Sequence, residues 1–152
     1  MSFRQFHATF VPTYLIPPMS PFKLSLQLAH HKHDEFDGSS ALAADVMRSF
    51  DNFDWKGELE RGEQFQRVSP TISVEDSDGR LIWVSAAGIG YGFEFISEYT
   101  YHGIVKRFFG LWKSEGNVTV ETQTFTTTQA RLALEHFVEG RHDDLLKLYR
   151  ES

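Results

Sequence analysis

From residue 70 to residue 149 the chain alternates apolar and polar residues in short runs divided by turn formers. It then switches to a helical period in TFTTTQARLALEHFVEG and in the short run after it. Strands first and helices last is the order of an α+β domain with an antiparallel sheet, since parallel strands would need a crossover helix between them. DSDG at 76–79 reads as a hairpin turn whose glycine supplies the positive φ, with strands at 71–75 and 81–87 on either side. In the next run Tyr91, Phe93, Phe95, Tyr99 and Tyr101 fall on one face, and Glu94 and Glu98 on the other. His102 and Gly103 predict a reversal into a strand over 104–112. Both alternating sets of that strand contain aromatics, as in a central strand covered on two faces. SEGN at 114–117 predicts one more turn, into 118–124. Thr126 with Gln129 forms a capping box, Ala130, Ala133, Leu134, Phe137 and Val138 make the buried stripe, and Gly140 ends the helix. Asp143 and Asp144 open the last helix, and its Leu145, Leu146, Leu148 and Tyr149 point inward.

The front of the chain is punctuated differently. Pro12, Pro17, Pro18 and Pro21 exclude a helix interior or a central strand, so 1–22 is predicted as an extended arm. KLSLQLAHHKHD, with Leu24, Leu26 and Leu28 on one side, reads as a half-buried strand. Ser39 and Ser40 offer N-caps for a helix carrying Leu42, Ala43, Val46, Met47 and Phe50. The polar stretch 51–63, with Gly57 and Gly62, reads as a loop whose Trp55 either anchors it to the core or faces outward. The whole is one α+β domain: arm 1–22, a strand, helix and acidic loop over 23–68, a β-meander over 69–125, and C-terminal helices over 126–150. The helices are expected mainly on one face of the sheet. A chain of 152 residues, 41% hydrophobic and 14% aromatic, can bury one aromatic-rich core.

Several chemistries are excluded or disfavoured. With no cysteine there is no disulfide framework, thiolate metal site or cysteine nucleophile. No run reaches transmembrane length and no leader pattern opens the chain, so a cytoplasmic protein without a membrane partner is expected. The net charge is −6, and residues 32–63 hold nine acids against four bases. No basic stripe suggests nucleic acid. The negative segment reads as a solvated face that keeps the chain soluble or, by charge complementarity, as a surface for a basic protein partner.

Four features bear on chemistry. In HHKHDE at 30–35, His31 and His33 would lie about 7 Å apart on one face if extended, close enough to share a metal with Glu35; a wet turn is the expected reading. Glu94 and Glu98, about 13 Å apart along one strand, are too distant for a glycosidase pair. No serine sits in a nucleophile elbow. Gly88, Gly90 and Gly92 lack the lysine and the following helix of a phosphate loop and read as a bulge or bend. No metal, no cofactor and no catalytic residue is expected.

The segment SPTISVEDSDGRLIWVSAAGIGYGFEFISE, with the closing ETQTFTTTQARLALEHFVEGRHDDLLKLY, resembles the immunity proteins of bacterial polymorphic toxin systems. The resemblance spans roughly half the chain, residues 69–149. It implies a small acidic cytoplasmic protein that binds a cognate toxin and occludes its active site. Acids beside an aromatic anchor would suit a toxin basic at its active site, and Asp54, Trp55, Glu58, Glu60 and Glu63, with Glu94 and Glu98, are the expected surface. A monomer is expected, with a homodimer as the alternative. Two other readings make different demands: a type III secretion chaperone predicts a stable homodimer with apolar grooves, and a small ligand-binding or hydrolytic domain predicts convergent polar groups in a pocket.

Overall fold

In the computed structural model, which describes residues 21–65, 68–89, 92–107, 109–110 and 112–152, six strands form one antiparallel sheet in the order β2-β1-β3-β4-β5-β6. The strands are β1 (Phe22–Gln27), β2 (Asp37–Ala41), β3 (Thr71–Asp76), β4 (Leu81–Ile89), β5 (Gly92–Arg107) and β6 (Trp112–Phe125). Helices α1 (Ala43–Asn52) and α2 (Trp55–Phe65) connect β2 to β3, and α3 (Thr127–Val138) and α4 (His142–Glu151) close the chain. The expected α+β class holds. Of the expected arm 1–22, residues 1–20 lie outside the described residues, as do the expected contributions of Tyr91, Phe108 and Leu111; Phe22 belongs not to an arm but to β1, where it is buried.

Period-two alternation decides which face of the sheet is covered. Leu24, Ile72, Val74, Ile82, Val84, Ala86, Phe95 and Tyr99 turn to the helices and are buried. α3 packs on β4, β5 and β6, α4 on β6, α2 on β4, and α1 on α3. The α3 stripe completes this core as predicted, with Ala130, Ala133, Leu134 and Phe137 buried and Val138 packed at its margin. Trp83, paired with Ser73 and Glu98, points to the uncovered face, and it is its neighbours Ile82 and Val84 that enter the core.

Local chemistry sets the ends of the elements. Thr126 Oγ1 accepts the Gln129 N–H at 3.2 Å and Gln129 Oε1 accepts the Thr126 N–H at 2.9 Å, the predicted capping box. At the β3–β4 turn Asp76 Oδ1 accepts the N–H groups of Asp78 and Arg80, and Gly79 takes φ 76°.

Four expectations need correction. Ser39 and Ser40 do not cap a helix; they pair with Leu24 and Lys23 in the edge strand β2, and α1 begins after Leu42, whose N–H is held by Asp45. Residues 55–65 are helical rather than loop. Asp54 is the cap of α2, accepting the Gly57 N–H at 3.1 Å, and Trp55 is buried against Phe50, Phe53 and Phe95. Third, no reversal occurs at His102 or at residues 114–117, because β5 and β6 run straight through both. His102 pairs with Asn117 and Gly103 with Gly116, and the turn lies instead at Phe109 and Gly110, with φ 57° and 84°. Of the expected strand 104–112, residues 104–107 and Trp112 are therefore no central strand but part of a ribbon at the edge of the sheet. Finally, the glycines near 88–92 mark the end of the β4–β5 hairpin, where Ile89 pairs with Gly92, rather than a bend within one strand.

Candidate functional site

α2 is held by three contacts, to α1, to β4 and to the loop after β1. The Trp55 indole N–H donates to the Phe50 carbonyl at 3.2 Å, Leu59 approaches Gly88, and Glu58 Oε2 accepts the Ala29 N–H at 2.7 Å, tying the loop after β1 to the helix. Gly88 makes the close approach possible. A Cβ there would stand 3.2 Å from Glu63 Oε1 and 3.6 Å from Leu59 Cδ2.

Between α2 and the end of the β4–β5 hairpin lies a cleft of about 550 Å³. Leu59 and Phe93 give it apolar walls, Gly88 and Gly92 keep its floor low, and Glu60 and Glu63 line it from α2. Lys56 also lines it and lies 3.9 Å from Glu60, a loose exposed pair. An acid-lined cleft with an apolar wall suits a long cationic side chain, which can lay its methylenes on the wall and its charge among the carboxylates.

The seven residues expected as one surface divide into three groups. Glu60 and Glu63 meet at the cleft. Asp54, Trp55 and Glu58 are structural: Asp54 caps α2, Trp55 is 6% exposed, and Arg61 bridges the Asp54 and Glu58 carboxylates, whose hydrogen bonds, Glu58 first, raise the guanidinium pKa. Glu94 and Glu98 lie on the uncovered face, opposite Ala87 and Trp83, so the sheet itself separates them from the cleft. Trp55 is thus no exposed anchor, and Glu94 and Glu98 do not join the α2 acids.

The histidine segment is not extended. His31 is buried in a turn with Nδ1 accepting the Leu28 N–H at 3.0 Å and Nε2 3.6 Å from Asp37, while His33 is exposed and its carbonyl accepts from Gln27. A wet turn therefore describes His33 but not His31. No group of three or more metal-ligating side chains gathers among the described residues. A shallow hollow of about 490 Å³ on the uncovered face, beside Phe36 and Trp83, exposes the Thr71 and Ser85 hydroxyls. They bond to each other at 2.9 Å, and among the described residues no hydrogen bond joins His33 to a hydroxyl.

One surface was missed in the sequence. β4 leaves β5 at the Leu81–Thr100 pair, so residues 101–107 and 112–118 continue as a two-stranded ribbon about 20 Å long. Ile104, Phe109 and Trp112 on it are 66%, 107% and 67% exposed. Lys106 pairs directly with Lys113, and Glu98 pairs directly with Glu121 on the same sheet face. The signal lies in KRFFGLWK, where Gly110 after an aromatic permits the tight reversal, whereas His102–Gly103 carries a similar glycine signal inside a continuous strand.

No family model matches the chain, and comparison with curated proteins and with solved structures yields no match.

Proposed function

We propose that this chain is a non-enzymatic immunity protein that binds a toxin and blocks it, taking a basic side chain of the toxin into the cleft beside α2. The observation that carries the reading is the convergence of Glu60 and Glu63 on apolar walls made by Leu59 and Phe93. A lysine or arginine seated there would exchange its water for two carboxylates and an aromatic face. The helix is fixed by the Asp54 cap and the buried Trp55, so the carboxylates are presented with little ordering left to lose. Occlusion follows from bulk: a basic active-site loop held on this rim cannot reach its substrate. No chemical step and no cofactor is assigned to the chain.

The test is to express in bacteria the protein encoded directly upstream of this chain, with and without it. Growth arrest by the upstream protein, relieved by this chain through a complex that survives purification, is the expected result. A non-toxic upstream protein, or a toxic one that this chain neither binds nor relieves, overturns the reading.

A further inference from the structure

The ribbon and the strand that forms its outer side point to a second copy of this chain. β6 is the last strand of the sheet and fourteen residues long; among the described residues its outer edge has no strand partner. Such an edge offers a row of free backbone donors and acceptors to another strand. The ribbon, moreover, is two-stranded over residues 101–107 and 112–118, an arrangement that is marginal in water without a third strand.

Charge specifies which strand would fit. On the uncovered face Lys106 and Lys113 are direct cross-strand partners, as are Glu98 and Glu121, and like charges so placed repel. Among the described residues no ion pair relieves either lysine. On β6 these two strained positions, Lys113 and Glu121, are equidistant from Asn117. A two-fold axis at Asn117 would set Lys113 of each copy opposite Glu121 of the other. The lysine pair of one molecule would meet the glutamate pair of its neighbour, twice.

We propose that β6 pairs antiparallel with β6 of a second copy about a two-fold axis at Asn117, each ribbon gaining the other's β6 as its third strand. Isologous pairing of this kind is self-complementary by construction. Face-matched alternatives slide the axis along the strand and lose the complementarity. With the axis at Val118, Glu115 opposes Glu121; with it at Glu115, that residue opposes itself; at Gly116 or Thr119 no opposite charges meet. An axis at Ser114 pairs Lys113 with Glu115 but engages only the first five strand residues, against eleven for Asn117. On the helix side the Asn117 axis also places Gly116 opposite Val118 and exposed Trp112 opposite Thr122. The inference is independent of the toxin-binding cleft, which lies on α2 and the β4–β5 hairpin. An edge-to-edge dimer by itself creates no apolar groove of the chaperone kind.

Sedimentation velocity on the full chain across a concentration series tests this. The wild type is expected to dimerise, and Lys113→Glu or Glu121→Lys to raise the dimer dissociation constant at least about tenfold, with the far-UV spectrum unchanged. The combined Lys113→Glu and Glu121→Lys variant restores opposite charges across the axis and is expected to recover the dimer. Because the chain has no cysteine, Asn117→Cys gives a second readout: it crosslinks to itself under mild oxidation faster than Thr119→Cys, which faces Glu115. A wild type that stays monomeric throughout overturns the proposal. So does a dimer indifferent to both reversals, a combined variant that stays apart, or equal crosslinking at 117 and 119.

Discussion

Helix α2 with its cleft and the β5–β6 ribbon each carry a tryptophan, a glycine contact and a charged pair, yet they use them in opposite ways. Trp55 is packed among three aromatic rings with its N–H satisfied, and the acids beside it stand on a helix fixed to the core. Trp112 is two-thirds exposed at the end of a ribbon with one neighbour per strand, and the charges beside it repel. Gly88 admits a helix to the sheet, whereas Gly103 faces Gly116 across the ribbon. The contrast teaches that the first region is complete as it stands and presents its groups, while the second, among the described residues, has an unpaired strand edge and like charges face to face.

The largest expected effect compares the two tryptophans. Trp55→Ala should cost about 3–5 kcal/mol as a large-to-small core change, and Trp112→Ala no more than about 0.5 kcal/mol in the dilute monomer. Urea unfolding followed by circular dichroism measures both, and equal losses would dissolve the distinction. Next in size are the helix caps. Asp54→Ala is expected to cost about 1 kcal/mol by freeing the Gly57 N–H, while Ser39→Ala, in an edge strand, should change stability by less than about 0.5 kcal/mol. The reverse order in the same assay would return residues 55–65 to a loop.

A smaller effect concerns pH and the core on which α2 rests. His136 in α3 is buried, and burial, with Arg141 nearby, lowers its pKa below 6.5. The unfolded chain therefore binds the proton first, so this contribution to stability is whole above pH 6.5 and is lost as pH falls from there to the lowered folded value. His136→Gln should flatten the fall in urea midpoint between neutral and mildly acidic pH; an unchanged slope would place the titration elsewhere. The smallest concerns Arg131, whose Nε and Nη2 donate to the two Asp51 oxygens at 2.8 and 3.0 Å. That hydrogen bonding holds the Asp51 carboxyl below its ordinary pKa, but both side chains are well exposed. Asp51→Asn should cost less than about 1 kcal/mol in the same unfolding assay, and a larger loss would show the α1–α3 clasp to be part of the core.

What the sequence made legible was whatever local chemistry decides. The alternation of β3, β4 and β5, the Asp76 turn and the Thr126 cap each depend on residues within a few positions of one another. α2 escaped because Gly57 and Gly62 weaken its helical pattern, and its security comes from Trp55 entering a core assembled by distant residues. The two turn signals near 103 and 116 misled for a different reason. They are cross-strand partners, so what resembled two reversals is one glycine pair inside a long hairpin. The acids of the expected surface share their charge and, from Asp54 to Glu63, their proximity in sequence. Whether they share a face depends on which side of the sheet α2 covers, and that leaves only Glu60 and Glu63 together.

The central claim, that recognition belongs to the cleft and self-association to the ribbon, is tested most directly by toxin-binding kinetics of two charge-reversed chains. The account predicts that Glu60→Lys combined with Glu63→Lys raises the toxin dissociation constant at least about tenfold, while Lys113→Glu leaves it unchanged. Binding that survives the reversal on α2 and is lost with Lys113→Glu would contradict it.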